Sequence, residues 1–215
     1  MNDTLYPKVR SALPVKSGQG FSFCEVNKMK YKAQIMDAPA LERALMRISH
    51  QILEKNQGAD DICLVGIHTR GIPLAKRIAQ NICLIDGAEL PVGELDITLY
   101  RDDLSRISPD PHLNATNIPF SVEGKTVVLV DDVLYTGRTA RAALEAIMKH
   151  GRPARVQLCI LIDRGHLELP IRATYVGKNI PTAHSEIVSV KLEETDGETG
   201  VSIYQLEESD PSFVK

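Results

Sequence analysis

The sequence predicts an α/β fold with a mainly parallel central sheet flanked by helices. Short apolar, β-branched runs recur at 62–67 (ICLVGI), 126–131 (TVVLVD) and 156–162 (VQLCILI). The first two are each followed by a polar turn and then a stretch of helical periodicity. Strands that are apolar throughout, rather than alternating, are buried on both faces, as in parallel sheets covered by helices. With 215 residues, against about 100–200 per domain, one domain accounts for the chain.

Residues 1–28 hold Pro7, Pro14, Gly18 and Gly20 without sustained periodicity. They read as an extension, flexible or loosely docked, and 29–215 as a single domain. Met29, where a regular pattern begins, is a second candidate start. A helix follows Asp37, which can cap it, and Pro39 suits its first turn. Leu41, Leu45, Ile48 and Ile52 make its apolar face, Arg43, Arg47 and His50 lie opposite, and Gly58 ends it. The strand at 62–67 leads through His68-Thr69-Arg70-Gly71 into a helix over 72–82. Residues 94–100 alternate as a strand does. Residues 101–121 hold Pro109, Pro111, Pro119, Asp110 and Asn114 and no element. A connection this long in a compact domain is functional or a sign of a wrong assignment. With clear strands on both sides it reads as a mobile lid over 101–117, with a plain surface loop as the alternative. After the strand at 126–131, a helix spans 138–150, stopped by Gly151 and Pro153. Shorter strands are expected at 173–177 and 186–192. There is no internal repeat and no low-complexity tract.

Charge narrows the function classes. There are 25 Lys+Arg against 28 Asp+Glu, a net charge of −3. A polybasic nucleic-acid binder is usually basic overall, so only a local basic face and specific recognition remain open. Glu193, Glu194, Asp196, Glu198, Glu207, Glu208 and Asp210 gather many acids near the C-terminus. Trp is absent and aromatics are 5%, so no stacking platform is suggested. No run reaches the roughly 18 apolar residues of a membrane span. Residues 1–28 lack the apolar core of a secretory signal. Cys24, Cys63, Cys83 and Cys159 form no C-x-x-C pair, and the last three lie in apolar runs. Buried free thiols in a reducing cytoplasm are the expectation.

The chemistry concentrates in VVLVDDVLYTGRT, residues 127–139. An apolar strand delivers Asp131 and Asp132 to its carboxyl end, where ligands bind in open α/β sheets. Thr136, Gly137 and Thr139 then open a helix. Amides at a helix start, close approach at glycine and hydroxyl donors together make a phosphate cradle. The loop is neither G-x-x-x-x-G-K nor G-x-G-x-x-G. Two acids before such a cradle suit a ligand with a phosphate and a diol. The cradle takes the 5′-phosphate, and the carboxylates accept from ribose hydroxyls and can face Mg²⁺. The competing reading is an acidic strand end with a capping threonine. Thr69, Arg70 and Gly71 suit a dianionic group through the guanidinium and helix-start amides. Taken alone, that turn reads equally as a helix cap.

Three strings together, V-D-D-V-L-Y-T-G-R-T, L-Y-R-D-D-L-S (99–105) and D-R-G-H-L-E-L-P-I-R (163–172), resemble one branch of the type I phosphoribosyltransferases. That branch comprises the pyrimidine operon attenuation regulators that are also uracil phosphoribosyltransferases, and the resemblance runs from about Lys30 to Gln205. It implies the type I fold with a small hood and a flexible lid. It implies a pentosyl transfer in nucleotide salvage, uracil + 5-phosphoribosyl 1-pyrophosphate (PRPP) → UMP + pyrophosphate, with Mg²⁺ accompanying PRPP and no organic cofactor. Asp131 and Asp132 then act on the ribose and the developing charge, with Mg²⁺ in reach. Asp131 through Thr139, including Val133, Leu134, Tyr135 and Arg138, bind PRPP. Thr69, Arg70 and Gly71 bind pyrophosphate, joined by Arg101, which with Asp102 and Asp103 forms the lid base. The base pocket falls within 161–182, and no general base is named; His166 is a candidate, with a structural or RNA-facing histidine as the stronger reading.

The resemblance further implies uridine-nucleotide-dependent (UMP/UTP) binding to a leader mRNA, with regulation by transcription attenuation. Candidates for the RNA face are Arg43, Arg47, His50, His166, Arg172 and Lys178, with Lys76 and Arg77 adding charge nearby in sequence. Met46 departs from the polar threonine expected beside Arg47. A cytoplasmic homo-oligomer, dimer or tetramer, without membrane contact is implied. The alternatives are a transferase for another base without an RNA role, an RNA-binding regulator with weak enzyme activity, and an unrelated nucleotide-binding α/β module. The acid pair and both turns disfavour the second. The cradle and the lid-length segment disfavour the third.

Overall fold

The apolar runs pair in parallel, and their alternating side chains bury against helices on both sides. The computed structural model describes residues 29–98 and 116–206. The extension 1–28 and the lid residues Arg101, Asp102 and Asp103 lie outside the described residues. In chain order the elements are β1 (Met29–Met36), α1 (Ala38–Asn56), β2 (Ile62–Ile67), α2 (Gly71–Asp86), β3 (Val92–Leu95), β4 (Thr126–Leu134), α3 (Arg138–Met148), β5 (Arg155–Asp163), β6 (Tyr175–Asn179), β7 (Glu186–Lys191), α4 (Glu193–Asp196) and β8 (Gly200–Leu206). The main sheet is parallel with order β3-β2-β4-β5-β6.

Leu64, Val128, Val130, Cys159 and Leu161 point to one face and meet Leu41, Leu45, Ile48 and Ile52 of α1 and Leu74, Ile78 and Ile82 of α2. Cys63, Val65, Ile67, Val127, Leu129 and Ile160 point to the other and meet Ala140, Ala143, Ala146 and Ile147 of α3. The alanines let α3 lie close to the strands. Each fully buried Leu or Ile contributes about 1.5–3 kcal/mol of transfer free energy. Asp37 caps α1 as expected, its Oδ1 accepting from Ala40 N at 2.8 Å. Gln57 (φ 60°) closes it, with Gly58 N donating to Leu53 O at 2.9 Å. A satisfied polar cluster ties the end of α1 to β5 and β6: Asn56 and Tyr175 both donate to Gln157 Oε1, at 3.2 and 2.8 Å.

Several expectations change. Helix α2 continues to Asp86 instead of stopping at 82. The strand expected over 94–100 ends at Leu95, because Asp96 Oδ1 accepts from Thr98 N (2.8 Å) and Oγ1 (2.5 Å) and turns the chain. Of the predicted lid only 116–117 are described. There Asn117 and Glu94 exchange backbone hydrogen bonds of 2.8 Å. The run at 186–192 is a strand but leaves the parallel sheet. β7 joins β1 and β8, neither of which was foreseen, in an antiparallel sheet of order β1-β8-β7. This hood packs through Met36, Val190, Leu192, Val201 and Ile203 onto the α1/α2 side of the core. Cys63 and Cys159 are buried free thiols, whereas Cys83 is exposed, because it falls off the Ile78–Ile82 stripe of α2. Among the described residues no helix is long and apolar enough to cross a membrane.

Candidate active site

β2 leads to β3 on one side and the chain returns as β4 on the other, so strand order reverses between β2 and β4. A crevice opens at the carboxyl ends of the strands at such a point. β4 pairs with β2 only as far as Val130, while its pairing with β5 continues to Leu134. Asp131 and Asp132 therefore stand where β4 has lost its inner neighbour. Alternation along the strand sends them to opposite faces. Asp131 continues the Val127–Leu129 side, toward α3. Asp132 continues the Val128–Val130 side, toward α2 and Arg70.

The two acids have different surroundings. Asp131 is 8% exposed and lines a cleft of about 420 Å³, with Val133 to Ala140 and Ile160 as the other walls. The described cleft thus collects every predicted cradle residue from Val133 to Thr139. Gly137 sits ahead of α3 with φ 88°, a conformation glycine adopts without strain, and contributes no side-chain cap. The amides of the first turn of α3 have no carbonyl within the helix to bond. Thr136 Oγ1 accepts from Arg138 N at 3.4 Å. Arg138 itself is drawn to Glu168, at 2.7 Å. Asp131 Oδ1 accepts from Asp132 N, and Asp132 Oδ1 from Val133 N, both at 2.9 Å.

Burial, reinforced by the neighbouring Asp132 charge, pushes the Asp131 carboxyl well above the usual carboxylate range. Burial raises Asp132 as well, with Arg70 opposing. A carboxyl whose native pKa exceeds its unfolded value destabilises the fold as pH rises. The cost is absent below the unfolded value, grows toward the native value and is full above it. Asp131→Asn is therefore expected to raise the melting temperature of the ligand-free protein at pH 7–8 and to flatten its decline with pH, read by calorimetry. A lower melting temperature across that range would refute the charge argument.

Opposite the cradle, the His68–Gly71 turn starts α2, and the His68–Thr69 peptide is cis. Thr69 is exposed and Arg70 partly so. Arg70 is bound by Asp196 of the hood, Nη2 to Oδ1 at 2.8 Å and Nε to Oδ2 at 3.2 Å. Gly71 is buried, and its α-carbon faces the carbonyl of Val130. Its small size answers to packing against β4, a reason the motif reading did not supply.

The segment after β5 folds over the cradle. Leu134 O accepts from Arg164 N, and Thr136 O accepts from Glu168 N and Leu169 N. Arg164, unassigned by the sequence argument, is 7% exposed and stacks on Tyr135, 4.1 Å from the ring centre. It donates to Thr182 Oγ1 (3.1 Å) and Glu186 O (2.6 Å), and burial lowers its pKa. His166 is not outward-facing. It lies edge-on to Tyr135 and 4.0 Å from His184, and its Nε2 is 2.6 Å from Thr182 O. Arg164 and His184 could have been suspected from their places in the expected base-pocket segment and just past it.

The expected basic face is only partly assembled. Arg43, Arg47 and His50 are exposed on α1. Arg47 nonetheless donates to Val176 O (3.3 Å) and Gly177 O (2.5 Å) of β6, beside exposed Lys178. Lys178 Nζ in turn reaches Ile35 O at 3.2 Å. Arg172 is exposed ahead of β6. Lys76 and Arg77 do not join them: Lys76 pairs with Glu94, and Arg77 with Glu42 and Glu194.

Comparison with known proteins accords with this geometry. A model of the "Phosphoribosyl transferase domain" matches residues 32–195. "Bifunctional protein PyrR" of Thermus thermophilus is 60% identical over 179 residues, covering 83% of this chain and 99% of the relative. The protein of the same name from Deinococcus deserti is 56% identical over 177 residues, 82% of this chain and 97% of that one. Among solved structures, a hypoxanthine-guanine phosphoribosyltransferase from Bacillus anthracis superposes with TM-score 0.62 at 15% identity, over 82% of this chain and 99% of that one. The hypoxanthine phosphoribosyltransferase of Trypanosoma cruzi does so with TM-score 0.62 at 16%, over 82% and 98%. These two share the fold. The acid pair at the reversal of strand order, the cradle at α3 and the family match over most of its length establish that the chain belongs to the phosphoribosyl transferase domain family.

Proposed function

We propose that the protein is a uracil phosphoribosyltransferase, converting uracil and PRPP to UMP and pyrophosphate, and that it also regulates pyrimidine genes by binding leader mRNA. The observation that carries the enzyme reading is the crevice between β2 and β4. One wall is the α3 cradle with Asp131, the other the start of α2 with Arg70, and Asp132 stands between them. A molecule with a phosphate at one end and a diphosphate at the other spans these walls. In this assignment the cradle amides and the hydroxyls of Thr136 and Thr139 hold the 5′-phosphate. Asp131 and Asp132 accept from the ribose hydroxyls. Thr69, Arg70 and Gly71, with Arg101 of the lid, receive the diphosphate. Uracil lies toward Tyr135, in the segment that Arg164 anchors.

As the bond from C1 to the diphosphate breaks, positive charge grows on the ribose, and the carboxylates face it from a site where charge interactions are strong. Closure of the lid excludes water that would compete with uracil. The two carboxylates fit a Mg²⁺ ion that arrives with PRPP, since Mg²⁺ is commonly held by one or two carboxylates plus substrate phosphates. Among the described residues no group of three or more His, Cys, Asp or Glu forms a cage by itself. Bound there, the ion would neutralise charge on the departing diphosphate. Assay of uracil with PRPP tests the assignment. Preferential turnover of orotate or a purine would refute the base.

The regulatory half is supported by the 56–60% identity to the bifunctional relatives and by the α1/β6 face. RNA loops are read by a few positioned side chains, so a net charge of −3 is no obstacle. UMP is expected to tighten binding of a pyrimidine-gene leader RNA. Arg43→Ala with His50→Ala is expected to weaken it at least about tenfold, the effect of losing one or two base or phosphate contacts. Equal, weak binding to any RNA, insensitive to UMP, would leave the enzyme reading alone. A dimer or tetramer is expected in solution, measurable by light scattering.

A further inference from the structure

The hood reaches the His68–Gly71 turn through Asp196. α4 docks on α2 through two two-pronged ion pairs, Asp196 with Arg70 and Glu194 with Arg77. Arg70 and Arg77 are two helical turns apart on the same face of α2, so one short segment meets both. The two pairs differ in what lies beyond them. Arg77 is nearly covered, its side chain 15% exposed, and Glu42 takes its remaining edge at 2.6 Å. Arg70 is 38% exposed, and its charge acts on Asp132 at the crevice.

A guanidinium has five N–H donors in a rigid plane. Asp196 takes the edge formed by Nε and Nη2. The edge formed by Nη1 and the second hydrogen of Nη2 is left over, and among the described residues Nη1 has no hydrogen-bond partner. Two parallel N–H groups match two phosphate oxygens, as they match a carboxylate. Asp196 is itself fixed. Its Oδ2 also accepts from Leu192 N at 3.0 Å and Thr195 Oγ1 at 2.7 Å. Burial would raise this carboxyl, but the hydrogen bonds from Arg70, Thr195 and Leu192 bring it down to about 2, so it stays charged at any working pH.

We infer that Asp196 is a positioning residue, which clamps one edge of the Arg70 guanidinium so that the other is presented to the diphosphate of PRPP and of the product. The inference rests on the reading of the 69–71 turn as the diphosphate site. A long, flexible side chain is thereby oriented before the ligand arrives, and less of its rotamer freedom is lost on binding.

Product inhibition separates this role from simple docking of the hood, because pyrophosphate uses the Arg70 edge and UMP does not. Asp196→Asn keeps an acceptor for Leu192 N but removes the charge. It is expected to raise the inhibition constant for pyrophosphate and the KM for PRPP about tenfold, the effect of releasing a partner that orients a ligand-binding group. The inhibition constant for UMP should stay put. Glu194→Gln, which loosens the sister pair, should change neither constant. Adding Asp196→Asn to an Arg70→Gln protein should produce no further loss. Unchanged or tighter pyrophosphate inhibition in Asp196→Asn would overturn the inference, the tighter case meaning that Asp196 competes with the ligand. Parallel shifts for UMP and pyrophosphate, or an equal effect of Glu194→Gln, would also overturn it in favour of hood docking. If Arg70→Gln leaves pyrophosphate inhibition intact, the reading of the turn fails first and the inference falls with it.

Discussion

Asp132→Asn is expected to lower kcat for uracil and PRPP by at least about 10², the order associated with one lost electrostatic contact in a transition state. The substitution keeps size and shape, so the ribose can still be held and KM should move less than kcat. What disappears is a negative charge placed between the start of α2 and the ribose, where positive charge develops. The carboxylate is half-buried, so water replaces its charge only in part. Loss of the fold is not the explanation to expect. The carboxyl is held above its usual pKa by burial, so its removal relieves strain in the ligand-free protein. A melting temperature at or above that of the parent, together with the loss of turnover, would be the signature of a charge kept for chemistry. Asp131→Asn should behave alike, and the double variant should lose less than the product of the two, because the pair acts as a unit. Near-normal turnover by Asp132→Asn would remove the crevice from the mechanism.

How much of this was legible follows from what each element had to bury. β2, β4 and β5 are covered on both faces, so their apolar runs announce themselves. α1 and α3 show their stripes and stops. The hood is different. The first four residues of β1 are exposed and only Met36 at its end is buried, so no alternation marks it. Its pairing with β8 links residues some 170 apart, which no local pattern encodes. In the site, the acid pair and T-G-R-T were readable because a strand, two charges and a helix start are contiguous. The partners of the turn were not. Asp196 lies 126 residues from Arg70 and read as one of many C-terminal acids. Helical spacing placed Arg47 on the exposed face of α1, but its bonds to β6 carbonyls 129 and 130 residues away needed the fold. The split of Asp131 and Asp132 between the two walls was in principle readable from strand alternation. It gains meaning once α2 and α3 are known to cover opposite faces.

Gly71→Ala is expected to damage the fold more than any surface change near the site. A methyl group at position 71 would sit 2.2 Å from the carbonyl oxygen of Val130 and 3.2 Å from its carbon. Both are backbone atoms of β4, one residue before the acid pair, and no rotamer change can clear them. The contact is reciprocated by Gly66 of β2, whose added Cβ would lie 2.5 Å from the α-carbon of Ile72. The first turn of α2 is therefore seated against two strands at glycine distance. Accommodating the methyl means lifting the helix or bending β4. Overpacking typically costs 1–3 kcal/mol, and a backbone-to-backbone clash belongs at about 3 or above. At about 2–4 °C per kcal/mol for a chain of this size, the melting temperature should fall by about 6–12 °C. Activity should fall further than stability explains, since any lift of α2 carries Arg70 away from Asp132 and any bend of β4 displaces both acids. Assay well below the lowered melting temperature tests that second effect. A melting temperature within about 2 °C of the parent would show that α2 is not wedged as described. A stable variant with intact pyrophosphate inhibition would detach the packing of Gly71 from the geometry of the site.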